Sequence, residues 1–160
     1  MTEPRTDAAV HGIDTPDERA TFQVIAASHE LRAALEESLA LLGLSLAQWT
    51  VLVQLLIEPG RSSADIARSS VVSQQAISGL VARLEKEALL TRAPHPEHGR
   101  IQRLTTTARG RKLALDADEA VRGLERDLRA WLGEDDAEQL RELLLRVRGF
   151  LATRRAQADG

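Results

Sequence analysis

A mainly α-helical chain with one small β-hairpin is what this 160-residue sequence predicts, and three observations predict it. Two short helical patterns meet at a polar, β-branched interruption between Arg68 and Gln74. A basic, turn-rich hairpin pattern follows them, and long Leu-rich helical patterns lie on both sides. That order of parts describes a winged helix-turn-helix flanked by N- and C-terminal dimerisation helices, an arrangement that offers DNA a helix and a projecting hairpin.

Residues 1–13 carry no apolar periodicity and are expected to be disordered. Thr15, Pro16 and Glu18 combine an N-cap, a proline at the first helical position and a glutamate at the third. A helix is expected to open there, pass through Phe22, Ile25, Leu31, Leu35, Leu39 and Leu42, and stop at Gly43, which makes 14–43 an N-terminal dimerisation helix. Ser45 and Gln48 form a capping box with Leu44 and Trp49 placed as a hydrophobic staple. The next helix then continues through Leu52, Val53 and Leu56 to Pro59-Gly60. Trp49 is accordingly a structural residue of the core.

Ser62 and Asp65 form another capping box, which opens a short helix through Ile66 and Ala67 to about Arg68. Ser69, Ser70, Val71 and Val72 interrupt it, and Ser73 supplies a fresh N-cap before Gln74 and Gln75. Along this second helix Ile77, Leu80, Val81, Leu84 and Ala88 form a buried stripe. The opposite face is Gln75, Ser78, Gly79, Ala82 and Lys86, with Arg83 to one side. Glutamine can pair bidentately with an adenine edge, and serine can bond to several bases or to phosphate. Gly79 and Ala82 would let the helix sit deep in a major groove. On its own, such a face is equally compatible with plain solvent exposure.

The next segment favours DNA. Leu89 to Arg92 has the character of a short strand, Pro94 to Gly99 is rich in turn residues, and Arg100 to Leu104 alternates like a returning strand. Arg100 near the tip can enter a narrow minor groove, or it can pin the hairpin to the body through an ion pair, while Arg92 and Arg103 can meet phosphates. Beyond the hairpin, Thr107 caps a helix with Leu113, Val121, Leu124, Leu128 and Trp131 on one side, ending near Gly133. The acids Glu134, Asp135 and Asp136 favour the start of a last helix with the stripe Leu140, Leu143, Leu144, Val147 and Leu151. These boundaries give 44–106 as the winged helix-turn-helix, 107–154 as C-terminal dimerisation helices and 155–160 as a disordered tail.

Charge is distributed unevenly. Between Pro59 and Lys112 there are ten Lys or Arg against four acids, a net +6, which leaves 11 bases against 20 acids, a net −9, for the rest of a chain of net charge −3. A basic block between acidic ends is the electrostatic footprint of a DNA-reading module. The chain has no cysteine, which excludes disulfides, thiol redox sensing and Cys-based metal sites. No apolar run reaches the ~20 residues needed to span a bilayer, and no signal-peptide pattern follows Met1. A cytoplasmic protein without cofactor or metal is the expectation. Phosphate-binding Gly-rich loops, Gly-x-Ser-x-Gly elbows and His-Glu-x-x-His pairs are all missing, so an enzyme is not expected. His95 and His98 lie three apart in the hairpin without carboxylate partners, a pattern of exposed turns more than of metal sites. His29 stands alone on the first helix, where a core or interface role is the simpler one.

From about Leu44 to Arg126 the chain resembles the MarR family of transcriptional regulators. The matching stretches are Leu44 to Trp49, Glu58-Pro-Gly60, Ser63 to Arg68, Val72 to Ser78, Leu80 to Glu85, Arg92, Gly99-Arg100 and Gly110-Arg111. The resemblance implies a homodimer whose recognition helices enter major grooves and whose wing arginines enter minor grooves. By that likeness Ser73, Gln75, Ser78 and Arg83 fall on recognition-helix positions and Arg100 on the wing position; Gln74 and Arg103 complete the expected DNA contacts.

Three positions depart from the family pattern: Gly99 stands where Asp often orients the wing arginine, Gly79 stands where Arg often follows the recognition-helix serine, and Thr106 replaces an apolar residue. The implied function is a dimeric repressor of a pseudo-palindromic double-stranded DNA operator, released by a small-molecule effector. Gly99 and Gly79 leave open an interaction module of the same fold that has lost DNA binding.

Overall fold

The computed structural model describes residues 15–69, 74–94 and 102–158. Its first element is a single 3-10 turn at Pro16–Glu18, followed by α1 (Ala20–Ala40). The capping pattern at Thr15 closes that turn: the Thr15 N–H donates to Glu18 Oε2 at 3.0 Å, and the Glu18 N–H donates to the Thr15 carbonyl at 3.1 Å. Arg19 then takes an extended conformation (φ −99°, ψ 118°), so the helix expected from Thr15 is broken and α1 begins without a side-chain cap. Its other end is as expected. Gly43 at φ +71° lets Leu44 N–H reach Leu39 O and Gly43 N–H reach Ala40 O, a Schellman stop that tucks Leu44 into the core beside Leu39.

Two capping boxes form in full. At α2 (Leu46–Ile57), Gln48 N–H donates to Ser45 Oγ and Ser45 N–H to Gln48 Oε1. At α3 (Ser63–Ser69), Asp65 N–H donates to Ser62 Oγ and Ser62 N–H to Asp65 Oδ2. Trp49 packs against the core, as expected. The helix α4 spans Gln74–Lys86 and buries Ile77, Val81 and Leu84, with Leu80 half-buried. Ala88 does not continue that stripe. It is exposed at φ +55° and closes a second Schellman stop, with Leu89 N–H on Leu84 O and Ala88 N–H on Glu85 O. An alanine there holds the left-handed conformation that glycine adopts without strain.

The strands β1 (Leu90–Pro94) and β2 (Gln102–Thr106) pair antiparallel, with Leu90 opposite Thr106 and Pro94 opposite Gln102. The returning strand thus runs two residues past Leu104. Thr106 keeps its place in the ladder, and Thr91 and Thr105 hydroxyls meet across the pair at 3.1 Å. Apart from Leu90 and Leu104, the residues of the two strands are exposed or half-buried.

The helix α5 (Ala108–Leu132) starts under the Thr107 cap, whose hydroxyl accepts from Gly110 N–H at 3.0 Å. Small residues carry it through the core: Gly110, Ala114 and Ala117 are buried, and a Cβ added to Gly110 would lie 1.8 Å from the Leu89 carbonyl oxygen. That core also holds Leu39, Leu52, Leu55, Ile66, Ile77, Leu84, Leu90 and Leu104, each fully buried. The far half of α5 leaves it. Trp131, expected on the packed side, is 83% exposed because no described element covers the helix end before the Gly133 stop.

The last helix, α6 (Glu134–Ala158), continues through residues 155–158, which the sequence assigned to a tail. Arg155, Ala156 and Gln157 favour helix, and no breaker intervenes before Gly160. Its only buried residue is Ala137, and α1 is exposed from Ala20 to Ala33. The stripe Leu140, Leu143, Leu144, Val147 and Leu151 therefore stands open, as do Phe22, Ile25 and Leu31 on α1. No described helix is long and apolar enough to cross a membrane.

Candidate nucleic-acid interface

The two faces of α4 have opposite chemistry. Burying Ile77, Val81 and Leu84 contributes about 1.5–3 kcal/mol per side chain and fixes which way the helix is rolled. That roll leaves Gln75, Ser78, Gly79, Ala82, Arg83 and Lys86 exposed together. Among the described residues nothing lies within 4 Å of a Cβ added to Gly79. Arg83 is 67% exposed at its side chain and donates through Nε to Glu87 Oε1 at 3.0 Å, one turn further along. The pair leans the guanidinium along the helix without removing it from the outward face. Of the sequence-predicted contacts, the structure thus brings Gln75, Ser78 and Arg83 onto one surface. Ser73, Arg100, Gly99, His95 and His98 lie outside the described residues, as does the Gln74 side chain.

The hairpin arginines are placed differently from that set. Arg92 reaches from β1 back to α4, with Nε on Glu85 Oε2 at 2.7 Å, tying the strand to the helix. Arg103 is half-buried near the loop-side end of β2 and donates through Nε to the Gly60 carbonyl at 3.2 Å. Sequence reasoning overlooked Arg61. Its Nη1 donates to Gln54 Oε1 at 3.1 Å and its Nη2 to the Asp65 carbonyl at 2.7 Å, so it binds the end of α2 to the start of α3. The signal was its place between Glu58 and the Ser62–Asp65 box, which reads as simple helix punctuation until the turn is folded.

Arg61, Arg68, Arg92 and Arg103 line one cleft of about 880 Å³ between the α2–α3 turn and the wing, together with Glu58 and Asp65. Asp65 is held below the usual carboxylate range by hydrogen bonds from the Ser62 hydroxyl and N–H, with the charges of Arg68 and Arg61 adding to the effect. A smaller, mostly apolar cavity of about 260 Å³ lies between α2 and α5. It is lined by Val53, Leu56, Ile57, Ala114 and Leu115, with Asp118 and Arg122 paired at 2.7 Å at its edge. His29 is exposed on α1, not a core residue of the single chain. Among the described residues no group of three or more His, Cys, Asp or Glu side chains is arranged to hold a metal ion.

The MarR family profile matches residues 42–101. The HTH-type transcriptional repressor Rv2887 of Mycobacterium tuberculosis is 33% identical over 114 residues, covering 71% of this chain and 82% of the relative; the repressor Mb2911 of Mycobacterium bovis matches equally. Among solved structures, the transcriptional repressor CouR bound to a 23-mer DNA duplex superposes with a TM-score of 0.78 at 25% identity, covering 82% of this chain and 94% of that one. Rv2887 in complex with salicylic acid gives 0.67 at 29% identity, covering 85% and 98%, and the same protein in complex with DNA gives 0.67 at 28%, covering 81% and 97%.

Proposed function

The chain belongs to the MarR family of DNA-binding transcriptional regulators, and from that premise we propose that it is a cytoplasmic, dimeric repressor of a pseudo-palindromic operator. The observation that carries this reading is the roll of α4, which turns Gln75, Ser78 and Arg83 together onto its exposed face. Gln75 and Ser78 read base edges, with Ser73 and Gln74 beside them at the start of the helix. Arg83 meets a phosphate, and Arg100 enters the minor groove from the wing. DNA complexes of CouR and Rv2887 support the partner class.

Dimerisation answers the open faces of α1 and α6. A second copy covers Phe22, Ile25, Leu31 and the α6 stripe, and a two-fold axis through them sets the two α4 helices about 10 bp apart on one side of a duplex. The apolar cavity between α2 and α5 suits a small aromatic acid, the class to which salicylic acid in the Rv2887 complex belongs. Such an effector releases DNA by binding better to a dimer whose recognition helices are misplaced, since equal affinity for both states shifts nothing.

Sequencing the genomic fragments that the purified protein retains tests the operator claim, and enrichment of a palindromic site is the expected result. On the enriched duplex, Arg83→Ala should weaken binding about 5–30-fold and lower the slope of log affinity against log salt by about one. No enriched palindrome, or an Arg83→Ala protein that binds like the wild type, would count against the assignment.

A further inference from the structure

The wing is fastened to the body by more than its own hairpin. Gly60 N–H donates to the Leu104 carbonyl at 2.8 Å and Leu104 N–H to the Arg61 carbonyl at 3.0 Å, so two backbone bonds extend the β-ladder onto the α2–α3 turn. Arg103, the preceding residue of β2, lies over the same turn with its Nε on the Gly60 carbonyl. Gly60 stands at φ +88°, and a Cβ there would come within 2.9 Å of Arg103 Nε. The guanidinium thus occupies space that only glycine leaves. The other cations of the cleft are engaged with protein acceptors as well: Arg61 with Gln54 and the Asp65 carbonyl, Arg68 with the Asp65 carboxylate, Arg92 with Glu85. These are contacts that frame a joint.

We propose that Arg103 is a positioning residue of the DNA interface, one that sets the angle of the wing through the Gly60 carbonyl and does not act by neutralising a phosphate. The proposal replaces the phosphate contact expected for Arg103, and it rests on the DNA-binding reading above. The place of the bond explains why it matters: Arg103 faces Ala93 near the loop-side end of the ladder, with only the Pro94–Gln102 pair beyond it, so the Gly60 carbonyl braces the outer part of the two strands against the α2–α3 turn.

Two substitutions separate positioning from charge. Arg103→Lys keeps the cation but puts a methylene where Nε–H stood, and Arg103→Met removes the charge at similar length. Each is titrated against the duplex most enriched from genomic fragments and against a scrambled duplex of equal length, at several salt concentrations and below the melting temperature of every variant. Amide deuterium exchange of Gly60 and Leu104 is measured on the same free proteins.

Positioning predicts that both variants lose about fivefold on the enriched duplex, with an unchanged salt slope and unchanged binding to the scrambled one. The Gly60 and Leu104 amides should also exchange faster in both variants. Gly60→Ala, which pushes the guanidinium off its seat, should give the same pattern with every charge intact. The proposal is overturned if Arg103→Lys binds like the wild type while Arg103→Met lowers the slope by about one on both duplexes, and equally if neither variant alters amide exchange. Should no duplex be enriched at all, the DNA-binding reading fails, while the exchange measurement still decides whether Arg103 holds the wing strands to the α2–α3 turn.

Discussion

The winged helix-turn-helix and the terminal helices solve the same problem in opposite ways. In the first, the described apolar stripes find cover within the chain, Ile57 at the end of α2 excepted: Leu52 and Leu55 from α2, Ile66 from α3, Ile77, Val81 and Leu84 from α4, and Leu90 and Leu104 from the hairpin all reach zero or near-zero exposure. In the second, α6 buries one alanine and leaves Leu143, Leu145, Phe150 and Leu151 about half exposed. One part is complete as a single chain and the other is complete only against something else. On the proposed function the difference divides the work: the closed part sets the geometry of the face offered to DNA, and the open part supplies the doubling that would give that face its operator spacing.

The comparison can be broken most severely at Gly110, where α5 crosses the backbone of Leu89. Gly110→Ala puts a methyl 1.8 Å from the Leu89 carbonyl oxygen. Because Leu89 O also accepts the Thr107 N–H, neither strand nor helix can yield without losing the other. A loss of more than about 4 kcal/mol is expected in urea unfolding, and a variant melting within a few degrees of the wild type would show that the closed part tolerates a shift of α5.

The open part is tested on α6. The pair Leu144→Asp and Leu151→Asp places carboxylates on surfaces that are already exposed in one chain, so an isolated monomer should tolerate them within about 0.5 kcal/mol each. In a dimer the same charges are buried unpaired. Sedimentation should therefore show a shift from dimer to monomer with loss of operator binding, and an unchanged dimer would place the interface elsewhere.

Two smaller effects sharpen the picture of the closed part. Ala88 holds a left-handed conformation just past the end of α4, so Ala88→Gly should raise stability by about 0.5–1 kcal/mol in thermal melting; a fall would mean that the alanine methyl contributes packing there. Asp65 has a folded pKa depressed by Ser62 and the neighbouring arginines. Its contribution is therefore fully present above the unfolded carboxylate value of about 3.9 and is lost as pH falls through the lower folded value. Melting curves between pH 5 and 2 should lose that component in Asp65→Asn, and an unaltered acid limb would contradict the assignment.

Most of the fold was legible from caps and periodicity, because those signals are local. Ser45 with Gln48, Ser62 with Asp65, Thr107 and Gly43 each act on groups within one helical turn, and each formed as written. The misread positions were those where a correct local pattern did not settle how far an element or a packed stripe runs. Thr15, Pro16 and Glu18 carry a complete helix-start pattern, yet the pattern closes only a 3-10 turn before Arg19 extends. Ala88 fits an apolar spacing but lies past the point where Leu89 must enter the core. Trp131 belongs to a helical stripe that simply outruns its cover.

The outward face of α4 was readable for the same reason as the helices, since burying Ile77, Val81 and Leu84 determines what faces outward. Arg103 was not readable in that way. Its partner, Gly60, lies 43 residues earlier in the chain, and no spacing announces a bond across that distance.

The central claim is that two copies of this chain place two α4 helices on one duplex. Sedimentation of the protein with its enriched duplex, read as chains per duplex while the half-site spacing is varied, tests it most directly. Two chains per duplex are predicted, with binding strongest when the half-sites are about 10 bp apart and lost when they are moved by about 5 bp to the opposite side of the helix. One chain per duplex, or affinity indifferent to that spacing, would contradict it.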